Sequence, residues 1–578
     1  MGLSKLGKEF SVEHQKLEDV TLPNGSIVNI DHDAIDINNV MDYDVKESQK
    51  IYCEHDCLCL LEVLNQFGKD VYDSCKINIT TCFTGASLSK KHYFQNYYNM
   101  YQTPIYTLSK PIDEFIRKSY SGGRNEACYI GKYDRKVYYY DFTSLYPDVG
   151  RLLIPYGKPK HLKGELLELL TENIKAIPFG FYKVLVKTRK ENETPLHCEK
   201  DGKLVFPIYE DWTELTIFSE EIKYGFKKKL YDYKFIEGYE FKKRRFLKEF
   251  FQEGFEKKGK AKAEGKSGLA QVYKIIINSG YGFWGLNTRG KKGKGRDGVS
   301  LYNAEALDFW EAYEKNDIVN VNKNGDYLMV RENKELEIRD FNVSIASAIT
   351  SYARLKLYTF VRAIKKKGGK VLYMDTDSCI TDMSMKAHED LMLKFCWDGD
   401  GSELGSMKNE ADDEVKAVFK KKYGESWLEK YNHQEELDGG DFHWDDFIGG
   451  GCKQYALRKT CFDGSVVEIC KLKGFKKDKN NKLKYKDFDK LCKAYAKQKY
   501  LEQRYINKTA QARKKLIKNE IKKDLITQSQ VQFVSPLYYH MSENLGYSIE
   551  KKEVEKWFRI SYTKGIIKDD GWVEPLRY

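Results

Sequence analysis

The stretch VLYMDTDS, residues 371–378, decides the fold more than any other part of the chain. An apolar strand-like run leads into Asp375, Thr376 and Asp377, and an apolar run resumes at Cys379. This pattern predicts a β-hairpin with acids at its tip. Residues i and i+2 of an extended segment share a face, so Asp375 and Asp377 should present two carboxylates to one point, where a divalent cation would offset their repulsion. Taken alone, an Asp-x-Asp turn is usually a hydrated surface turn.

A further acid lies in the aromatic stretch YYYDFTSLYP, residues 138–147. The stretch predicts a strand that brings Asp141 to its end and then turns through Thr143 and Ser144. Such an arrangement suits a metal-bound triphosphate, because the acid can hold the metal ion while backbone N–H groups contact phosphate oxygens. A buried aromatic strand with a solvent-facing Asp is the alternative that this stretch leaves open.

The third element is KIIINSGYG, residues 274–282. Helical spacing places Lys274, Asn278 and Tyr281 on one face, while Ile275 and Ile276 turn away from it. A Lys on this face can neutralise phosphate, and the two glycines in the motif permit close approach of a nucleic-acid strand. An amphipathic helix with a surface Lys is the alternative.

Composition sets the class of protein. At 578 residues, with 41% hydrophobic and 32% charged residues, the chain is long enough for several domains, which excludes a small binding module and a disordered chain. Strand-like and helical stretches alternate, which predicts an α+β protein.

The net charge of +12 is local, since residues 471–523 hold 20 Lys and Arg against 5 acids. That region predicts a polyanion-binding surface, or else a solvated lysine-rich one. No apolar run is long enough for a membrane span, so we expect a soluble intracellular protein with reduced thiols.

An acid at a strand end, a Lys/Asn/Tyr helix and a two-acid hairpin, in that order, are the parts that nucleotidyl transfer by two metal ions requires. YYYDFTSLYP, KIIINSGYG and YMDTDS closely resemble motifs A, B and C of family B DNA polymerases. SYSGGRNE, residues 119–126, resembles the YxGG motif of that family, and CKQYAL, residues 452–457, resembles its KxY motif. In combination the motifs are most similar to the protein-primed branch, which includes polymerases of small phages, adenoviruses, linear plasmids and polinton-like elements.

The resemblance implies an α+β right-hand fold, with a palm built on an antiparallel sheet, helical fingers and a thumb, preceded by a remnant of an RNase H-like 3′→5′ exonuclease domain. The implied segments are 1–110, the partial exonuclease domain and linker; 111–240, the YxGG motif, palm motif A and a first protein-primed-type insertion; 241–284, the fingers with motif B; 285–340, a second insertion; 341–450, the palm with motif C; and 451–578, the KxY motif and basic thumb.

The same resemblance assigns roles to single residues. It implies catalytic roles for Asp141, Asp375, Asp377 and Lys274, and metal binding by Asp141, Asp377 and the backbone of Phe142. Tyr146 is implied to exclude the ribose 2′ hydroxyl. The implied nucleotide-binding residues are Ser144, Leu145, Tyr146, Lys262, Lys266, Lys274, Asn278 and Tyr281, and the implied DNA-binding residues are Tyr120, Gly122, Gly123, Arg124, Ser279, Gly282, Thr376, Lys453 and Tyr455.

The exonuclease pattern is broken. YCEHD supplies Tyr52 and Asp56 at the spacing of the third exonuclease motif, but no Asp-x-Glu precedes it. We therefore expect an incomplete exonuclease that does not proofread, because one Asp cannot hold two metal ions. Cys53, His55, Cys57 and Cys59 crowd together in this region, but they lack the two separated pairs that zinc sites usually have.

The implied function is template-dependent addition of dNTPs to a primer, in a DNA-directed DNA polymerase with two Mg²⁺ ions, for which Mn²⁺ can substitute. Expected partners are primer–template DNA, dNTPs and a terminal protein primer, and we expect a monomer that does not bind a membrane. A reverse transcriptase is disfavoured, because Thr376 separates the two hairpin acids. A catalytically inactive descendant that only binds nucleic acid or a replication partner is the alternative that stays open.

Overall fold

The computed structural model describes residues 3–17, 19–29, 43–82, 84–164, 167, 170, 173–189, 194–200, 203–286, 296–303, 318–324, 327–334, 341–472, 484–490, 565–567 and 573–575. Most of the basic region predicted to form the thumb, residues 471–523, lies outside these ranges, as does much of the second predicted insertion. The protein is α+β, as the alternating sequence pattern predicts.

The helices are numbered in chain order. They are α1 (Leu3–Phe10), α2 (Tyr43–Cys75), α3 (Gly85–Asn96), α4 (Lys110–Arg117), α5 (Leu145–Gly150), α6 (Ser219–Lys227), α7 (Lys248–Ala263), α8 (Ser267–Ser279), α9 (Val343–Lys366), α10 (Glu389–Phe395), α11 (Glu410–Tyr423) and α12 (Trp427–Leu437). Short 3₁₀ turns lie at Ile79–Thr81, Ile174–Ala176, Gly282–Gly285 and Gly424–Ser426. None of the described helices is both long and apolar enough to cross a membrane.

The strands are numbered in the same way. They are β1 (Asp19–Thr21), β2 (Ile27–Asn29), β3 (Asn125–Ala127), β4 (Gly131–Tyr133), β5 (Tyr138–Phe142), β6 (Ile154–Leu162), β7 (Gly180–Thr188), β8 (Cys198–Lys200), β9 (Lys203–Val205), β10 (Thr213–Phe218), β11 (Tyr231–Arg244), β12 (Arg296–Asn303), β13 (Ile318–Asn324), β14 (Tyr327–Lys334), β15 (Val371–Asp375), β16 (Ser378–Thr381), β17 (Met407–Asn409), β18 (Asp446–Gly451), β19 (Gln454–Thr460), β20 (Val466–Leu472), β21 (Gly565–Ile567) and β22 (Val573–Pro575).

The chain divides into two compact units. The first unit contains residues 1–121, 146–191 and 208–351, and the second contains residues 122–145, 192–207 and 352–578. The six segments implied by the sequence divide the chain more finely and stay a prediction.

The second unit is built around a five-stranded antiparallel sheet of order β17-β5-β16-β15-β3. Strand β15 is buried along its apolar residues, and it forms with β16 the hairpin that the sequence predicts. A four-stranded antiparallel sheet of order β20-β19-β18-β4 lies in the same unit. Buried residues of both sheets and of α11 share one core, in which Trp444 and Phe447 are fully buried. This core fixes the strands whose ends carry the acids.

The first unit contains a four-stranded antiparallel sheet of order β10-β7-β11-β6 and the helical pair α7 and α8. The strand-like stretch YKVLVK, residues 182–187, lies within β7, and the predicted helix KIIINSGYG begins inside α8. Gly254 of α7 allows the two helices to approach, because a Cβ atom there would lie 2.5 Å from the Ile277 side chain. Lys274 and Asn278 are exposed, as the predicted polar face of α8 requires, and Ile276 is buried. Ile275 and Tyr281 are half-buried.

Candidate active site

Two acids from distant parts of the chain lie on neighbouring strands. Asp141, near the end of β5, is paired in register with Ser378 of β16, and the Phe142 N–H donates to the Asp377 carbonyl at 2.8 Å. Asp377 therefore stands at the turn beside the end of β5. Both side chains are partly buried. The antiparallel ladder thus brings together two residues that are more than two hundred positions apart in sequence.

The surroundings favour the neutral forms of both acids. Burial, followed by the neighbouring charge of Asp377, raises the pKa of Asp141 to about 8. Burial also raises the pKa of Asp377 to about 6, with Asp375 and Glu410 as further causes. A cation between or beside two partly buried carboxylates of this kind favours the form in which both are ionised. Their oxygen atoms are the ligands that hard divalent ions prefer, so the donor set fits Mg²⁺ or Mn²⁺.

The backbone at the hairpin tip is bent, whereas the sequence predicts an extended segment from Asp375 to Asp377. Thr376 has a φ of 63°, and the Asp377 N–H donates to the Asp375 carbonyl at 2.7 Å, which closes a three-residue turn. The argument that Asp375 and Asp377 share a face because they are i and i+2 of a strand is therefore wrong at this point. Asp375 instead forms an ion pair with Lys453, whose Nζ lies 2.5 Å from the Asp375 carboxylate.

Left-handed backbone conformations are concentrated at this site. Ser144 after β5, Thr376 at the hairpin tip and Lys453 before β19 all have φ between 53° and 63°, and they are three of the six non-glycine residues with positive φ in the described part of the chain. Such conformations cost about 1–3 kcal/mol each and persist only where the surrounding structure imposes them. At Thr376 this conformation is held by a 2.6 Å hydrogen bond from the Thr376 N–H to the Arg124 carbonyl.

Two charged residues at the edge of the sheet were not singled out by the sequence motifs. Lys408 of β17 is paired in register with Asp141, and its Nζ lies 2.6 Å from Glu410 and 2.9 Å from Asp413. Glu410 contributes to the raised pKa of both Asp141 and Asp377, whereas Lys408 lowers that of Asp141. Lys408 and Glu410 are two positions apart where β17 ends and α11 begins, and this spacing is the sequence signal for them.

The backbone after Asp141 offers fewer free amides than the sequence predicts. The Phe142 N–H is bonded to the Asp377 carbonyl, and the Thr143 N–H donates to the Ser406 carbonyl at 2.9 Å. These two amides are already used by the sheet. Phosphate contacts from the backbone after Asp141 stay a prediction, and the amides open to them begin at Ser144.

Two residues predicted to contact DNA are buried. Arg124 is 5% exposed, and its guanidinium bonds Glu126 and the Thr194 carbonyl. Tyr455 is 4% exposed, and its hydroxyl lies 3.1 Å from that of Tyr139. The Arg124 side chain is thus engaged inside the protein, and Tyr455 lies in the core that the two sheets share. Contact of either residue with DNA stays a prediction. Gly123 packs against the tip, since a Cβ atom there would lie 2.6–2.9 Å from atoms of Thr376.

In the first unit, Tyr146 and Tyr281 stack with their ring centroids 4.1 Å apart and an interplanar angle of 19°. Tyr120 packs on the backbone of Gly285, where an added Cβ atom would meet its ring at 2.4 Å. The remaining predicted residues of this unit are exposed or partly exposed: Lys262, Lys266, Lys274, Asn278, Ser279 and Gly282. Lys266 is paired with Glu264 at 2.8 Å.

Comparison with known families decides the identity. The model of the organellar and viral type B DNA polymerases matches residues 21–367, which is more than half of the chain. The chain belongs to the organellar and viral type B DNA polymerases. Its relatives include a probable DNA polymerase of Neurospora intermedia, 29% identical over 409 residues, and one of Podospora anserina, 28% identical over 397 residues. These alignments cover 68% and 64% of this chain but only 39% and 31% of the relatives, so the chain spans well under half of their length.

Solved structures of Phi29 DNA polymerase have the same fold as this type B polymerase. The complex with primer–template DNA has a TM-score of 0.55 at 18% identity, and the complex with primer–template DNA and incoming nucleotides has a TM-score of 0.54 at 17% identity. Each covers 84% of this chain and 73% of the other.

The motif predicted as an exonuclease remnant lies on α2. Tyr52 is 5% exposed, and the Lys16 ammonium lies 5.2 Å from its ring centroid. Lys16 also lies 3.8 Å from Asp56. In this type B polymerase the Asp56 carboxylate therefore has the Lys16 ammonium as a neighbour. Its origin in an incomplete exonuclease stays a prediction.

Proposed function

We propose that this type B polymerase is a DNA-directed DNA polymerase that adds dNTPs to a primer under the direction of a template. The proposal rests on the positions of Asp141 and Asp377, which lie next to each other at the end of β5 and at the β15–β16 turn. Burial and the charge of Asp377 raise the pKa of Asp141, so a cation bound at this point would favour the ionised carboxylates. Family membership supports the reaction class.

In this proposal Asp141 and Asp377 hold two Mg²⁺ ions, for which Mn²⁺ can substitute, with the Phe142 carbonyl as a further oxygen ligand. When bound, the ions lower the pKa of the primer hydroxyl and neutralise the triphosphate and leaving pyrophosphate. Lys408 and Glu410 tune the charge of the Asp141 carboxylate. The ion pair with Lys453 fixes Asp375 at the hairpin tip, and the Lys453 ammonium offsets part of the repulsion that Asp375 exerts on Asp377.

Substrate positioning is assigned to residues of the first unit and to the turn after β5. Lys274, with Lys262 or Lys266, neutralises triphosphate charge, and Asn278 and Tyr281 line the base-pair pocket. Ser144 and Leu145 contribute to the phosphate contacts. Tyr146 blocks a ribose 2′ hydroxyl, and its stacking on Tyr281 supports this role because it fixes the ring.

DNA contacts are proposed for the residues around the hairpin and α8: Tyr120, Gly122, Gly123, Thr376, Ser279, Gly282, Lys453 and, through its strand, Tyr455. The protein-primed branch is supported by the motif combination and by the fold shared with Phi29 DNA polymerase. In that branch the first nucleophile is a hydroxyl of a terminal protein, and the polymerase acts as a monomer.

Primer extension tests the proposal. The purified chain should extend a DNA primer with dNTPs and Mg²⁺, and Asp377→Ala should lower the rate at least ~10²-fold, which is the typical loss when a preorganised charged group is removed. Asp390→Asn is a matched control, because Asp390 lies in the same unit with its side chain 66% exposed, and it should leave the rate unchanged. Equal extension by wild type and Asp377→Ala would refute the assignment. No extension by wild type, with DNA binding intact, would favour the inactive descendant.

A further inference from the structure

A cluster of metal-binding side chains joins the loop after α1 to α2, within the first unit. The His14 Nδ1 lies 2.5 Å from Glu62 Oε1, and the His14 N–H donates to Glu62 Oε2 at 3.0 Å. The Glu13 carboxylate completes the group, since one ligand atom from each of the three residues lies within 4.8 Å of the others. The side chains of His14 and Glu62 are about 30% exposed, so an ion from solvent can reach them.

A second imidazole borders this cluster. His55 lies two helical turns before Glu62, on the same side of α2, and its ring is 5.0 Å from that of His14, edge to face. The Nδ1 atom of His55 is buried and has no hydrogen-bond partner among the described residues. A buried ring nitrogen without a partner is costly, and a metal ion would satisfy it.

The loop that carries Glu13 and His14 is held in place independently of these ligands. The Gln15 side chain donates to the Val12 carbonyl at 2.6 Å and to the Gly7 carbonyl at 3.2 Å. Beneath it, Phe10 of α1 packs with Cys59 and Val63 of α2. The ligands therefore start from a geometry that already exists without metal, which lowers the entropic cost of binding.

We propose that Glu13, His14 and Glu62 bind one divalent transition-metal ion of the Zn²⁺ class. His55, whose ring lies beside that of His14 but outside this group of three, turns to supply the fourth ligand. Imidazole and carboxylate ligands in a four-coordinate arrangement suit Zn²⁺ better than Mg²⁺, which prefers six oxygen ligands. Ligand atoms on tetrahedral Zn²⁺ are about 3.3 Å apart, so the His14–Glu62 contact opens by less than an ångström on binding. The ion takes the place of the hydrogen bond between those two groups and fastens the loop to α2.

This ligand set differs from the cysteines that crowd the same segment. Cys53 and Cys57 are exposed on one side of α2, whereas Cys59 is buried against α1. A straight helix cannot direct these sulfurs to one ion. The site is also separate in sequence from Asp141 and Asp377, so loss of either acid should leave it intact.

Zinc binding by the chelator-treated full chain tests the proposal. Wild type should bind one Zn²⁺ per chain more than the double variant His14→Gln/Glu62→Gln, measured by elemental analysis after dialysis. The single variant Glu13→Gln, which alters an exposed side chain, should weaken this binding at least ~10-fold. The matched control is His161→Gln/Glu237→Gln, because that pair has the same chemistry at 2.7 Å and no third ligand among the described residues.

Cobalt provides the second readout. Co²⁺ in the site should give the visible absorption of a four-coordinate nitrogen and oxygen complex, present in wild type and in the control but lost in the double variant. Zn²⁺ should likewise raise the melting temperature of wild type and control only. Equal zinc content in wild type and double variant would overturn the proposal. So would a sulfur-to-cobalt charge-transfer band that disappears in the double variant, since it would assign the ion to cysteine.

Discussion

Replacing Asp141 by Asn should change how the stability of the five-stranded sheet depends on pH. The folded-state pKa of Asp141 is raised from 3.8 to about 8, mainly by burial. Between these values the folded state binds one proton more than the unfolded state, so stability falls as pH rises and this contribution is fully lost above about pH 8. One pKa unit corresponds to about 1.4 kcal/mol. From about pH 6 to 7.5, wild type should therefore lose about 2 kcal/mol more than Asp141→Asn.

Hydrogen exchange followed by mass spectrometry measures this locally, in peptides that cover β5 and the β15–β16 hairpin, with chelator present. The control Asp390→Asn should keep the wild-type slope, because Lys367 lowers the pKa of that exposed acid and it does not titrate in this range. Mg²⁺ should reverse the trend in wild type, since it binds the ionised carboxylates, and should do so less in Asp141→Asn. Parallel pH curves for wild type and Asp141→Asn would refute the reasoning.

Three further predictions concern the turn residues and the sugar. Gly123→Ala should slow primer extension by displacing the hairpin tip, whereas Gly259→Ala on α7, where a Cβ atom meets nothing within 4 Å, should not; equal rates would contradict the packing argument. Lys453→Met should leave Asp375 unpaired and raise the KM for primer more than it lowers kcat, with Lys453→Arg retaining part of the activity; an unchanged KM would count against this role. Tyr146→Val should raise ribonucleotide incorporation relative to dNTPs, and unaltered sugar discrimination in a competition assay would remove Tyr146 from the sugar site.

The sequence predicts the local elements well, because they depend on short-range patterns. The apolar run before Asp375 forms β15, the aromatic run before Asp141 forms β5, and the 3.6-residue spacing around Lys274 forms the exposed face of α8. The adjacency of Asp141 and Asp377 also follows once the order of the motifs is compared with a known family.

Contacts made by strand pairing could not be predicted in this way. Lys408 and Glu410 lie near Asp141 because β17 pairs with β5, and no local pattern encodes that pairing. The motif around Arg124 predicts a contact with DNA. In the fold, however, the Arg124 side chain is buried and bonded to Glu126. The bend at Thr376 is held by its bond to the carbonyl of Arg124, directly before β3 and more than two hundred residues earlier. Each of these depends on partners distant in sequence.

The positive φ angles at Ser144, Thr376 and Lys453 have a consequence for engineering. Glycine would relieve the steric cost at each of these positions, so substitutions there would look favourable in a screen for heat resistance. The same substitutions would widen the range of conformations open to the acids and to the Lys453 ammonium. Variants selected only for a higher melting temperature should therefore accumulate glycine at these three turns while their catalytic rate declines.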